Sequence, residues 1–118
     1  MARQSRKRYV VRLHPAAARQ ITETAEKRGW LPATFLSNIL EEITPRPEEY
    51  EIYDENMTFQ LKRGPGSTKA KQTSVYLSDA TYEKIALISR NLVENVDRDM
   101  TPTFVIRDLV TKWMDENI

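Results

Sequence analysis

Apolar and polar positions along the chain follow two rhythms, and each rhythm occurs twice. Val11 and Leu13 stand two apart, which turns both toward one face of a strand and leaves Arg8, Val10 and Arg12 on the other. Ile21 follows eight residues after Leu13, and Val75, Leu77 and Ile85 repeat the same spacings. A helical stripe comes next. Phe35, Leu36, Ile39, Leu40 and Ile43 are spaced i, i+1, i+4, i+5, i+8, and Val105, Ile106, Leu109, Val110 and Trp113 are spaced identically. The pattern predicts strand, helix, turn, helix, written twice, with about 40 residues per copy.

Local signals place the element ends. His14 and Ser78 mark the two strand-to-helix junctions. Ser78 is a favoured N-cap, Asp79 suits a first turn, and Pro15 fits the first helical position, where its missing N–H costs nothing. The second helices are announced by WLPATF, with Pro32, and by MTPTF, where Thr101 can cap and Pro102 comes first. Gly29 ends the first helix of copy one. The distance between first and second helix is longer by six residues in copy two, and NVDRDM is the predicted insertion.

The chain thus divides into a first copy at 1–45, a linker at 46–70 and a second copy at 71–118. In the linker, TPRPEEY breaks the helix with two prolines and RGPGSTKAK is a flexible approach to the second strand. Between them, EYEIYDENMTFQLK alternates apolar residues (Tyr50 and Ile52, then Met57, Phe59 and Leu61) across a DEN turn. A small hairpin is predicted, serving as a partner-binding or dimer-making element. An extended segment laid over the helices is the other reading.

One copy is not stable alone, because a single strand has two unpaired edges and two short helices cannot cover each other's stripe. Pairing two copies solves both problems. The strands join as a short antiparallel ribbon, four helices pack beneath it, and Val11, Leu13, Val75 and Leu77 seal the ribbon onto them. The expected fold is therefore mainly α with a two-stranded ribbon. Whether the strands pair within one chain or between two stays open.

Composition narrows the chemistry. A chain of 118 residues with 40% hydrophobic residues supports one modest core. It has no cysteine and one histidine, which excludes a disulfide framework, a thiolate zinc site and a cysteine nucleophile, and suits a reducing, cytoplasmic setting. No apolar run approaches the ~20 residues needed to cross a bilayer, and MARQSRKRYVV lacks the apolar stretch of a secretory signal. His14, ahead of a proline at a helix start, is read as a cap or surface residue. Glu41 with Glu42 and Asp115 with Glu116 follow helical surface spacing. The Gly-Pro-Gly of the linker lacks the context of a phosphate loop. Trp30 and Trp113 are read as core or turn packing. No enzyme, metal or small-molecule cofactor is expected.

Charge is informative through its distribution. The formal net charge is only +1, yet before His14 the charged residues are Arg3, Arg6, Lys7, Arg8 and Arg12, with no acid among them. A polyanion would be met at this end.

KRYVVRLHPAAARQITETAEKRGWLPATFLSNILEEI resembles the ribbon-helix-helix DNA-binding superfamily of Arc- and MetJ-like repressors, and KQTSVYLSDATYEKIALISRN with MTPTFVIRDLVTKW resembles a second, more diverged copy. Together they cover most of the chain. The resemblance implies a tandem ribbon-helix-helix (β-α-α twice) forming a pseudo-dimer, whose exposed ribbon face enters the major groove while backbone amides at the start of each second helix hold phosphates. The base-contacting positions are then Arg8, Val10 and Arg12 on one strand and Gln72, Ser74 and Tyr76 on the other. Arginine can donate two hydrogen bonds to guanine O6 and N7, glutamine pairs with adenine, and valine contacts a thymine methyl. Tyr76 departs from the smaller or charged residues expected there.

Phosphate contacts are assigned to the amides of Ala33, Thr34, Thr103 and Phe104, helped by the hydroxyls of Thr34 and Thr103, which can also cap their helices. Lys7 and Lys71 flank the strands, Lys69 precedes the second, and Arg3 and Arg6 form an arm. The implied activity is sequence-specific binding of double-stranded DNA by a transcriptional repressor, with further chains side by side along the DNA. If the copies of one chain pair with each other, the half-site need not be symmetric. Two other roles fit the same pattern. One is a relaxosome accessory protein, since TraY-type proteins are likewise tandem ribbon-helix-helix chains; the other is an antitoxin-like interaction module.

Overall fold

A computed structural model describes residues 6–54, 71–98 and 100–118. In chain order it has strand β1 (Arg6–Leu13), helix α1 (Pro15–Lys27), helix α2 (Pro32–Ile43), a 3₁₀ turn (Pro47–Glu49), strand β2 (Lys71–Ser78), helix α3 (Asp79–Asn95) and helix α4 (Pro102–Asn117). It is mainly helical, with one antiparallel two-stranded sheet. β1 pairs with β2 of the same chain, Arg6 opposite Ser78 and Leu13 opposite Lys71.

The period-two and helical stripes meet in one core. Val11, Leu13, Val75 and Leu77 are at most 1% exposed, so one ribbon face is sealed. Against it lie Ile21 of α1, Ile85 and Ile88 of α3, and the stripes Phe35, Leu36, Ile39, Leu40 and Val105, Ile106, Leu109, Val110. Burying each such side chain fully is worth about 1.5–3 kcal/mol, and this drives the amphipathic elements together. Tyr9 leaves β1 on the same side and stacks on Tyr82 of α3, with centroids 4.0 Å apart. Trp113 meets Phe35 edge-on at 5.5 Å, and the Arg28 guanidinium lies over both rings. Trp30 is a turn residue and stays 47% exposed, so only Trp113 packs against the core.

Element ends follow the sequence with two differences. His14 Nδ1 accepts from the amide of Ala16, and Ser78 Oγ accepts from the amide of Thr81, so both first helices are capped by side chains. Gly29 closes α1 at φ 73°, where the amides of Gly29 and Trp30 donate to Glu26 and Ala25. Thr101 occupies the N-cap of α4, but its hydroxyl makes no capping bond. The six additional residues of the second half are not confined to NVDRDM. α3 has 17 residues against 13 in α1, so most of the insertion is another helical turn, and Asn95 belongs to the helix.

The linker departs from a hairpin where it is described. Residues 50–54 form no strand, and the rest of the predicted hairpin lies outside the described residues. The stretch is held instead by Asp108 of α4, which is 4% exposed. Its carboxylate accepts from the amide of Tyr53 at 3.0 Å, the amide of Asp54 at 2.8 Å and the hydroxyl of Tyr50. Tyr53 adds a bond to Asp115 at 2.7 Å. The segment is laid over α4, the extended alternative for this stretch. Among the described residues no helix is long and apolar enough to cross a membrane.

Candidate nucleic-acid interface

Alternation that buries Val11 and Leu13 necessarily turns their neighbours outward, and the register decides which of these meet. Arg8 lies opposite Tyr76, Val10 opposite Ser74 and Arg12 opposite Gln72. All six residues proposed for base contact therefore share one face as three cross-strand pairs. Five are exposed, including Val10 at 53% and Tyr76 at 42%, while Ser74 is half-buried. Arg8 Nε donates to Ser74 Oγ at 2.9 Å, a diagonal bond across the strands.

Charge is concentrated on this ribbon. β1 carries Arg6, Lys7, Arg8 and Arg12 with no acid, and β2 contributes Lys71. Lys7 and Lys71 sit at opposite ends, since Lys7 pairs with Leu77 and Lys71 with Leu13. Lys7 reaches Asp79 at 3.3 Å, an exposed ion pair that contributes little to stability. Arg6 turns from the ribbon to α2, where Nη1 donates to Asn38 Oδ1 at 2.9 Å. Arg3 and Lys69 lie outside the described residues.

The second helices begin differently from the first. The first capped helical donors are Phe35, bonded to Leu31 O, and Val105, bonded to Thr101 O. Ala33, Thr34, Thr103 and Phe104 precede them in the first turns, where backbone N–H groups have no helical acceptor. Neither N-cap, Leu31 or Thr101, supplies a side-chain bond, whereas His14 and Ser78 do so for α1 and α3. Thr34 and Thr103 lie inside their helices and so are not the caps. The Phe104 side chain is buried, leaving its amide as the group of interest.

Three polar residues that support the ribbon or linker carry no obvious sequence signal. Ser37 of α2 is buried, accepts from the Tyr76 amide at 2.8 Å and donates to Ala33 O at 2.6 Å. Glu41, one turn on, accepts from the Ser78 amide at 3.3 Å. Together they satisfy donors on the free edge of β2, which fixes α2 against the strand. Burial raises the Glu41 carboxyl, but hydrogen bonds from Thr81 and Ser78 and the Arg6 charge outweigh it, and the net shift is downward. Glu41 is thus more than a surface acid. Asp108 is the third, and the 70-residue offset between the helical stripes aligns it with Asn38. Both positions hold a distant segment: Asn38 takes Arg6, and Asp108 takes the linker. No family model, curated protein or solved structure matches the chain.

Proposed function

We propose that the chain is a tandem ribbon-helix-helix protein, two β-α-α copies closed into a pseudo-dimer, that binds double-stranded DNA with sequence preference as a transcriptional repressor. The carrying observation is the exposed ribbon face, where Arg8, Val10 and Arg12 stand in register with Tyr76, Ser74 and Gln72. A two-stranded ribbon has the width that the major groove admits, and guanidinium forks suit guanine there. Support also comes from the cationic β1 and from the two second helices, whose N-caps offer no side-chain bond and whose first-turn amides suit phosphate oxygens. Because the ribbon is built from unlike strands, its half-site need not be symmetric.

The test is selection of binding sites from randomised duplexes by the purified full chain, followed by salt titration on the selected site. A sequence-dependent surplus over a salt-sensitive background is the expected result. Arg12→Ala weakens the selected site by about 1–3 kcal/mol and relaxes preference at one position, whereas Lys7→Ala lowers affinity for every duplex. Equal losses on all DNA would remove Arg12 from the reading face, and failure to enrich any sequence would overturn the proposal.

A further inference from the structure

The two arginines on the exposed ribbon face are held differently. Arg8 gives its Nε–H to Ser74 Oγ at 2.9 Å, while Arg12, opposite Gln72, has no hydrogen bond or ion pair among the described residues. Ser74 is the one half-buried member of the six outward residues and sits at the centre of the ribbon, opposite Val10. Its side chain is short, and the Arg8 guanidinium already uses it as an acceptor. A guanidinium is planar, with its five N–H groups in fixed directions. Anchoring Nε therefore narrows where the remaining N–H groups can point.

We infer that Ser74 is a positioning residue that reads no base itself: it holds Arg8 through Nε, so that the Nη1 and Nη2 donors are presented as a fork to guanine O6 and N7. The inference rests on the DNA-reading function proposed above and adds an internal division to it. Arg8 is ordered before DNA arrives and loses little side-chain freedom on binding, so its base position is read strictly. Arg12 is ordered only on contact, so its position is read more tolerantly. Guanine selectivity is thus unequal at the two ends of the ribbon, and the difference traces to one hydroxyl on the opposite strand.

Ser74→Ala removes the acceptor and Ser74→Thr keeps it, with a branched side chain that suits a strand. Both variants, the parent chain and Arg8→Ala are put through the same selection on randomised duplexes, with Arg8→Ala identifying the base position that Arg8 reads. Ser74→Ala lowers guanine preference at that position by roughly 3–10-fold, the range for one lost hydrogen bond. Preference at the Arg12 position stays at the parent value, the thermal midpoint falls by no more than the few degrees that one hydrogen bond accounts for, and Ser74→Thr restores the guanine preference. Unchanged selectivity in Ser74→Ala at the Arg8 position overturns the inference while leaving the DNA-binding reading intact. An equal fall at both positions also overturns it, because that would report a general disturbance of the ribbon. If the parent chain enriches no sequence, both the inference and the function it rests on fall.

Discussion

Gly29 sits at φ 73° at the end of α1, and beyond its own backbone and its two chain neighbours no atom lies within 4 Å of where a Cβ would stand. Sterics with neighbours are therefore not what demands glycine here. Backbone conformation is, since a left-handed φ brings a Cβ toward its own following carbonyl at a cost of roughly 1–2 kcal/mol. Gly29→Ala is expected to lower stability by about 1 kcal/mol with the ribbon face unchanged, as measured by urea denaturation and, for the proposed function, duplex affinity on the same sample. A neutral substitution would mean that α1 ends some other way in solution. Residues of this kind were legible in the sequence because their reason is local: Gly29 ends a helix, Ser78 starts one, and Pro15 and Pro32 open first turns. Ser37 and Asp108 were not legible. Ser37 sits 39 residues from the Tyr76 amide it satisfies and Asp108 54 residues from that of Asp54, so nothing beside them in sequence announces the partner.

At the scale of elements, alternation in the strands and the apolar stripes in α2 and α4 are legible in the sequence because burial acts on them directly. Loops and boundaries are less so. The additional turn of α3 could not be separated from a longer loop, since Asn95 and its neighbours are polar enough for either. The alternating Tyr50 and Ile52 suggested a strand, yet one buried carboxylate took the backbone donors instead. This makes Asp108 an anchor between a helix and a segment that has no secondary structure to hold it. Asp108→Ala leaves two amides and the Tyr50 hydroxyl without their acceptor. Hydrogen bonds to charged groups are worth ~1.5–3 kcal/mol each, and partial rescue by water reduces the sum, so an overall cost of about 2–3 kcal/mol is expected. Amide hydrogen exchange at Tyr53 and Asp54 should approach the unprotected rate, while exchange in the β1–β2 ladder changes only by the global loss. Retained protection at Tyr53 and Asp54 would mean that Asp108 does not anchor the segment.

For the molecule as a whole, the decisive feature is that β1 finds its partner in the same chain. Neither half can close without the other: the ribbon needs both strands, and its sealed face needs Ile21 and Leu40 from one side and Ile85 and Val110 from the other. Folding is then one intramolecular event. The free chain should unfold in a single transition whose midpoint is the same over a hundredfold range of protein concentration, with an enthalpy on the order of 70 kcal/mol for a domain of this size. Ribbon pairing between chains would instead couple folding to association, and the midpoint would rise with concentration by mass action. Calorimetry at several concentrations distinguishes these. A rising midpoint would show that folding is coupled to association between chains, as exchange of strands between two ribbons requires. An invariant midpoint leaves one ribbon face per folded chain, and under the proposed function any longer DNA site would then call for separately folded chains side by side.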